Sequence, residues 1–301
     1  MKFVLNDAIR NFIMLKTRSV ITGSGHYLPA QHIKNSHFEK NTFHNEDGTL
    51  FQASNTEIIQ KFHTITGIKE RRYLEDNLLS SDMAAIAAEK AILDSGIDRE
   101  SIDQIILAHN FGDIQSGKST PEMMPSLGAK VKNKLKITNP NCVCYDIIFG
   151  CPGWVQAMIQ ADVYIKSGYA KTCSVIGTES LSRMVDPADR DAMIFADGAG
   201  AAIVTAVESE EEIGIINHSS VTHAAQDLNY LNMGASYKKD EDEKLYIKMN
   251  GRKIYNYALI EVPKAIKSCL DKDDIAIDDI GKILIHQANE KMDVAIGNRL
   301  Y

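Results

Sequence analysis

The sequence predicts an α/β protein whose mainly parallel sheet is covered by helices on both faces and whose core is duplicated. Short apolar runs alternate with segments of helical periodicity. The runs are close to continuously apolar, as strands buried on two faces require. A pattern at residues 90–108 also recurs at 264–286. At 301 residues the chain lies near the upper limit for one hydrophobic core, so about two domains or a duplicated one are expected.

Residues 1–18 read as an amphipathic extension. Asn6, Asp7, Arg10 and Asn11 interrupt its apolar residues and exclude a signal core or a membrane span; Met14 is an alternative natural start. Ser19–Gly25 reads as a strand ending in glycines. Tyr27-Leu28-Pro29 stand where a dinucleotide-binding helix would have to open, so that reading is set aside. Residues 33–56 are polar and irregular, and Glu57–Thr64 is helical. Ser80 or Ser81 caps a helix that runs to Ser95 and stops at Gly96. Ile105–Ala108 is a buried strand, and Thr120-Pro121 opens a helix that Pro125 shortens or kinks.

Val143–Phe149 is the next strand. Gly150, Pro152 and Gly153 punctuate it, and Trp154, Ala157, Met158, Ala161 and Ile165 then recur at helical spacing, with Pro152 expected at the first helical position. Cys173–Gly177 is a further strand. In the segment 195–204 the glycines precede a β-branched run, which favours close packing over phosphate binding. Lys238–Lys244 reads as a solvated loop before Leu245–Met249. The repeat pairs Lys90-Ala91-Ile92 and its following strand with Lys264-Ala265-Ile266 and the strand Ile283–Ile285, which puts His286 where Ala108 stands.

Hydrophobic residues make 44% of the chain and charged residues 24%, ordinary for a globular protein. A net charge of -7 and a pI near 5.7 offer nothing to nucleic acid or an anionic membrane. Five cysteines without disulfide-like spacing point to a reducing cytoplasm. No Cys/His cluster has zinc-ligand spacing, so no metal is expected.

Cys151 falls at the strand-to-helix turn, where unpaired amides and the helix dipole favour a thiolate. It is a candidate nucleophile, against the plainer reading of a small apolar residue that fills the turn. Cys142, Cys144, Cys173 and Cys269 read as core. His286 follows a strand at the edge where open α/β sheets bind ligands, and can hydrogen-bond a carbonyl or take a proton; the plain alternative is a satisfied strand-end histidine. His26, His109, His218 and His223 read as structural.

These residues carry a family resemblance. Ile21–Pro29, Thr66-Gly67-Ile68, Gly150-Cys151-Pro152-Gly153, Asp186-Pro187-Ala188-Asp189-Arg190, Phe195–Ala202, Met249-Asn250-Gly251 and His286-Gln287-Ala288-Asn289 stand in the order found in one group of enzymes. The sequence resembles the β-ketoacyl-acyl-carrier-protein synthase III branch of the thiolase-like condensing enzymes, from about Ser19 to the last residue.

The resemblance implies a thiolase-like duplicated α-β-α-β-α five-layer fold, usually homodimeric. An extension (1–18), a first half with the nucleophile (19–207) and a second half (208–301) that lacks its C-terminal part are expected. It implies that Cys151 takes an acyl group from acyl-CoA or an acyl carrier protein. Condensation with malonyl-carrier would follow with loss of carbon dioxide, while His286 hydrogen-bonds the malonyl thioester. No cofactor beyond the thioester substrates is implied. Arg190, Asn250, Gly251, Lys291 and Arg299 are the expected substrate- or carrier-binding residues, with Lys291 and Arg299 equally readable as solvated surface charge.

Two departures stand out. The family's Gly-Asn-Thr or Gly-Asn-Ser motif and final strand pair are not found before Tyr301, and a truncated chain is the expectation. Lys61 and Ile65 also replace a tryptophan and an arginine at the coenzyme A entrance, which points to a specialised relative with another acyl donor. The alternatives are a non-decarboxylating acyl transferase, or a hydroxymethylglutaryl-CoA-synthase-like enzyme with Glu179 or Glu122 as base. An inactive carrier-binding partner subunit is the third.

Overall fold

The computed structural model describes residues 15–118, 120–239 and 244–301. Most of the expected extension therefore lies outside the described residues, as do residues 240–243 of the charged loop, and Lys16–Arg18 already belong to the first strand.

The core is one five-stranded sheet. Its strands are β1 (Lys16–Tyr27), β4 (Gln104–Ala108), β5 (Val143–Ile147), β6 (Thr172–Ser180) and β7 (Asp197–Ser209), in the order β1-β7-β6-β4-β5. β4 pairs in parallel with β5 and β6, whereas β7 pairs antiparallel with β6 and with β1. The expected mainly parallel sheet is thus corrected to a mixed one. Only short 3₁₀ turns, Leu181–Arg183 and Arg190–Ile194, separate β6 from β7. A parallel return needs a crossover that is usually a helix, and none is present there.

β2 (Gln31–Lys34) and β3 (Glu70–Tyr73) form a small antiparallel pair beside α1 (Asn55–Thr66). β4 is buried along its whole length. Ile105 and Leu107 face α2 (Ser80–Ser95) and α3 (Leu127–Lys134), whose Ala84, Ala87, Ala88, Ala91, Leu127 and Val131 complete one layer. Ile106 points the other way, into Ala157, Ala161 and Ile165 of α4 (Gly153–Lys166). Alternate residues of a strand face opposite sides, so a doubly covered strand must be apolar throughout.

The glycines of β1 are explained by close packing. A Cβ at Gly25 would lie 2.1 Å from the carbonyl oxygen of Ala87, and one at Gly23 2.4 Å from that of Ala91. The strand lies directly on the α2 backbone, which is why it resembles a nucleotide fingerprint without being one.

Three helix starts differ from expectation. Ser80 and Ser81 are the first residues inside α2, where Asp82 accepts from the Leu79 amide at 2.9 Å and so closes the end. α3 begins at Leu127, not at Thr120, with the Ser126 hydroxyl accepting from the Ala129 amide at 3.2 Å. Pro125 disfavours helical backbone at Met124, so the helix waits for the cap beyond it. Pro152 is the N-cap of α4, one place before the first helical residue.

Beyond β7, β8 (Leu231–Ala235) and β9 (Leu245–Met249) form a separate hairpin, and α5 (Gly251–Leu270) packs on α6 (Glu290–Leu300) through Leu259, Met292 and Ile296. Ile283–Ile285 pairs with no strand among the described residues, and Leu284 is 85% exposed. The expected strand before His286 is corrected to an irregular segment. Its apolar run has the right composition, but β-structure needs a partner to bond.

Replacing Gly25 by alanine forces backbone apart from backbone. A loss on the order of 1–3 kcal/mol is expected, read as a lower urea midpoint with unchanged slope.

Candidate active site

The carboxyl ends of β4, β5 and β6 converge on the turn that carries Cys151. α4 reaches that edge because Gly153 rests on β4: a Cβ there would lie 3.0 Å from that of Ala108. Gly177 of β6 accommodates Trp154 in the same way, at 3.3 Å. Gly150 adopts a left-handed conformation, φ 70°, which a residue with a side chain would strain to reach. The Gly153 amide closes the turn onto the Gly150 carbonyl at 3.0 Å.

Cys151 is exposed, whereas Cys142 and Cys173 are buried. Burial of its surroundings nevertheless raises its thiol above the ordinary value, the Cys151 backbone amide opposes the shift, and the charge of Glu179 adds to it. The residue is exposed, yet its neighbours desolvate the thiol. The expectation that the helix end lowers this pKa is therefore corrected: the residue's own amide favours the thiolate, but desolvation outweighs it.

Two part-buried hydrogen-bond networks flank the turn. His109 Nδ1 accepts from the Gly112 amide at 2.9 Å, which leaves Nε2–H to donate to Asp146 Oδ2 at 3.0 Å. Asp146 also accepts from the Leu127 and Gly128 amides, each at 2.7 Å, and its carboxyl is held below the usual range despite its burial. In the second network, Glu179 Oε2 accepts from the Asn110 backbone amide at 2.7 Å and from Nδ2 at 2.8 Å. Asn110 Oδ1 in turn accepts from the Gly150 amide at 3.1 Å. Burial pushes the Glu179 carboxyl up to about 7, against the pull of Asn110.

His109 and Asn110 were not picked out by sequence. The rule that flagged His286, the residue just past a strand's carboxyl end, applies equally to these two beyond Ala108.

The other expected residues fall in separate places. Arg190 stacks on the Phe51 ring with its guanidinium 4.6 Å from the centroid and lies 3.9 Å from Asp191. Asn250 caps α5, its Oδ1 accepting from the Lys253 amide at 3.1 Å. Gly251 faces the same Asp191, whose Oδ2 is 3.6 Å from where a Cβ would stand. The structure thus joins the Arg190 and Asn250-Gly251 segments. Burial and the charge of Asp189 push Asp191 up to about 6.

Lys291 donates to the Thr64 carbonyl at the end of α1, beside Thr66-Gly67-Ile68. Arg299 is turned inward, donating to the Leu259 carbonyl at 3.0 Å, so its guanidinium serves the α5–α6 packing. His286 lies on the irregular segment, with burial lowering its pKa and Asp293 opposing. Among the described residues, no hydrogen bond or charge interaction joins it to Cys151.

The family model for 3-oxoacyl-[acyl-carrier-protein (ACP)] synthase III matches residues 145–223, which include both the Cys151 turn and Arg190. The β-ketoacyl-[acyl-carrier-protein] synthase III of Ehrlichia canis is 36% identical across 94% of this chain and 81% of its own length. This chain belongs to the β-ketoacyl-[acyl-carrier-protein] synthase III family.

Another member, synthase III 1 of Vibrio parahaemolyticus, is 34% identical over 94% of this chain and 81% of its own length. Among solved structures, the 3-oxoacyl-[acyl-carrier-protein] synthase III of Aquifex aeolicus aligns with a TM-score of 0.74 at 30% identity, covering 94% of this chain and 80% of that one. The 3-oxoacyl-(acyl carrier protein) synthase III of Pseudomonas aeruginosa aligns with a TM-score of 0.77 at 24% identity over 94% and 80% of the two chains, a likeness of fold. The architecture is the thiolase-like α/β fold of the family.

Glu179 makes stability depend on pH. Its folded carboxyl keeps a proton that the unfolded one, with an ordinary value of 4.5, has lost. Stability contributed by this group is thus present below the unfolded value and is lost as pH rises through the folded one. Between about pH 4.5 and 7 the loss is on the order of 3 kcal/mol. Urea titrations at pH 5 and 8 should show that drop, and Glu179→Gln should flatten it.

Proposed function

We propose that this chain forms a carbon–carbon bond by condensing an acyl group, held as a thioester on Cys151, with malonyl-carrier protein, releasing carbon dioxide in a step of fatty-acid synthesis. One observation carries the reading: within a synthase III sequence, the exposed Cys151 stands at the carboxyl edge of the sheet, beside the start of α4.

The Cys151 sulfur attacks the acyl thioester carbonyl and displaces the donor thiol. Backbone amides of the turn are the proposed donors to the developing oxyanion. Decarboxylation of the malonyl group then leaves a carbanion that attacks the acyl-enzyme, and the sulfur departs. His286, kept neutral by its surroundings, is proposed to donate a hydrogen bond to the malonyl thioester oxygen as charge builds there. Both partners bring their own thioester, so the proposed chemistry calls for no resident cofactor or metal.

The acyl donor is acyl-CoA or an acyl carrier protein, and the recipient is a carrier protein. Arg190 and Lys291 are the proposed basic contacts for the donor's phosphate or an acidic carrier, with Asn250 and Gly251 beside Arg190 shaping the mouth. Lys61 and the exposed Ile65 support a donor other than the family's usual one.

A homodimer is also proposed. β5 is the sheet's outer strand, and it exposes Val143, followed by Ile148 at 64% and Phe149 at 41%. An open strand edge continued by apolar side chains invites a second copy. Five unpaired cysteines support a reducing, cytoplasmic setting. Among the described residues, no helix is long and apolar enough to cross a membrane.

Incubation with radiolabelled acyl thioesters and malonyl-carrier protein tests the chemistry. Cys151→Ala should retain no label, while His286→Ala should acylate normally yet release carbon dioxide about 100-fold more slowly, the scale of losing one oxyanion donor. Label retained on Cys151→Ala would remove the proposed nucleophile. For the assembly, light scattering should give the mass of two chains, reduced to one by Ile148→Asp with Phe149→Asp.

A further inference from the structure

Glu179, named above only as a base in the hydroxymethylglutaryl-CoA-synthase-like alternative, has no part in the proposed condensation, yet its placement is unusual. It lies near the end of β6, opposite Gly198 of β7. While Oε2 is engaged by Asn110, Oε1 is buried without a well-formed hydrogen bond among the described residues, the Ser180 amide giving the carboxylate only its smallest help. A buried acceptor left unmade costs roughly 1–3 kcal/mol, so the arrangement is expensive unless that oxygen has another use. Asn110 also holds the Gly150 amide, and the carboxylate is thereby tied to the turn that presents Cys151. The Glu179 charge also acts on the Cys151 thiol, raising its pKa.

The titratable groups around it are few. Cys151, on the turn before α4, feels the Glu179 charge, and His109, at the end of β4 with its proton committed to Asp146 of β5, helps to hold that charge. On β7, Gly198 carries no charge, and neighbouring Asp197 is occupied by Ser182 and the Leu74 amide.

We infer that Glu179 is the proton reservoir of Cys151, taking the thiol proton during acylation and supplying one during condensation. The inference rests on the acyl-transfer reading above. In acylation the S–H bond breaks and the proton passes to the Glu179 carboxylate. The sulfur electron pair forms the new S–C bond, the donor's C–S bond breaks, and the departing thiolate collects the proton. In condensation the carbanion left by carbon dioxide forms the C–C bond, the Cys151 C–S bond breaks, and the thiolate is protonated by neutral Glu179. The carboxylate takes one proton from water between acylation and condensation, so each cycle consumes one proton and ends with Glu179 ionised for the next thiol. A carboxyl that burial brings to about 7 populates both forms at neutral pH, as an acid–base group must.

The test compares two rates on the whole protein between pH 6 and 9. One is acylation of Cys151 by the butyryl thioesters of coenzyme A and of a carrier protein. The other is alkylation by iodoacetamide, which needs a thiolate but returns no proton to a leaving thiol. Glu179→Gln keeps an acceptor for Asn110. It should acylate at least about tenfold more slowly and lose the inflection near neutrality, while alkylating as fast as the wild type or faster, since a repelling charge is gone. Glu179→Asp should keep an inflection, displaced from the wild-type position.

Acylation by Glu179→Gln at the wild-type rate and pH profile would overturn the inference alone. A parallel fall of both rates would overturn it too, because it would mark a structural role. A wild type that is alkylated but accepts neither thioester would overturn the acyl-transfer reading along with it.

Discussion

The packing of α4 on the end of β4 is the constraint on which the rest depends. β4 is sealed between α2 and α3 on one face and α4 on the other, so its neighbours must approach it closely at both ends. At its carboxyl end this contact falls to Gly153 and Ala108, where space for one more methyl group is lacking. The start of the helix is thereby fixed to the sheet edge, and Cys151, two residues earlier, is presented there whatever the loops around it do. A larger residue at either position would lift the helix and displace the Cys151 turn from the sheet edge.

Electrostatics at that edge are a contest between two effects of one geometry. Bringing a helix start, three strand ends and two part-buried carboxylates together supplies backbone donors and also removes water. The donors favour anions, the missing water disfavours them, and the outcome differs by residue. Asp146 receives two helix-end amides and an imidazole proton and stays ionised. Glu179, with one oxygen unpaired, and Cys151, with only its own amide to help, are pushed towards their neutral forms. Counting hydrogen bonds per charge decides each case better than proximity to a helix terminus does.

A second cluster gathers the mouth residues. Lys248 binds Asp186 and Asp189 and lies 3.4 Å from the Tyr237 ring centre, which fastens the Asp186–Arg190 segment to β9. That anchor brings Asp191 against Gly251 and leaves Arg190 on the Phe51 ring. The arginine is thus held by aromatic stacking, with a carboxylate within 3.9 Å, an arrangement that fixes its plane without consuming its donors.

Much of the fold was legible in the sequence. Buried β4, the helix ending at Gly96 and the strand–turn–helix around Cys151 each follow from local signals: a continuous apolar run, a left-handed glycine cap, and Gly-Pro-Gly punctuation before a 3.6-residue pattern. Family membership was legible too, because it depends on the order of short segments. What failed depended on partners distant in the chain. Ile283–Ile285 has a strand's composition but no strand beside it among the described residues, and β7 returns antiparallel because of what does not lie between it and β6. The network from Glu179 through Asn110 to Gly150 joins residues up to 69 positions apart, and no spacing rule encodes it. The sequence by itself determined which residues could be buried, where the chain must turn and which sulfur stands at a helix start, since these are properties of neighbouring residues. Only the tertiary structure decided the charge state of that sulfur and its company, because desolvation and field are set by atoms that folding brings in from elsewhere.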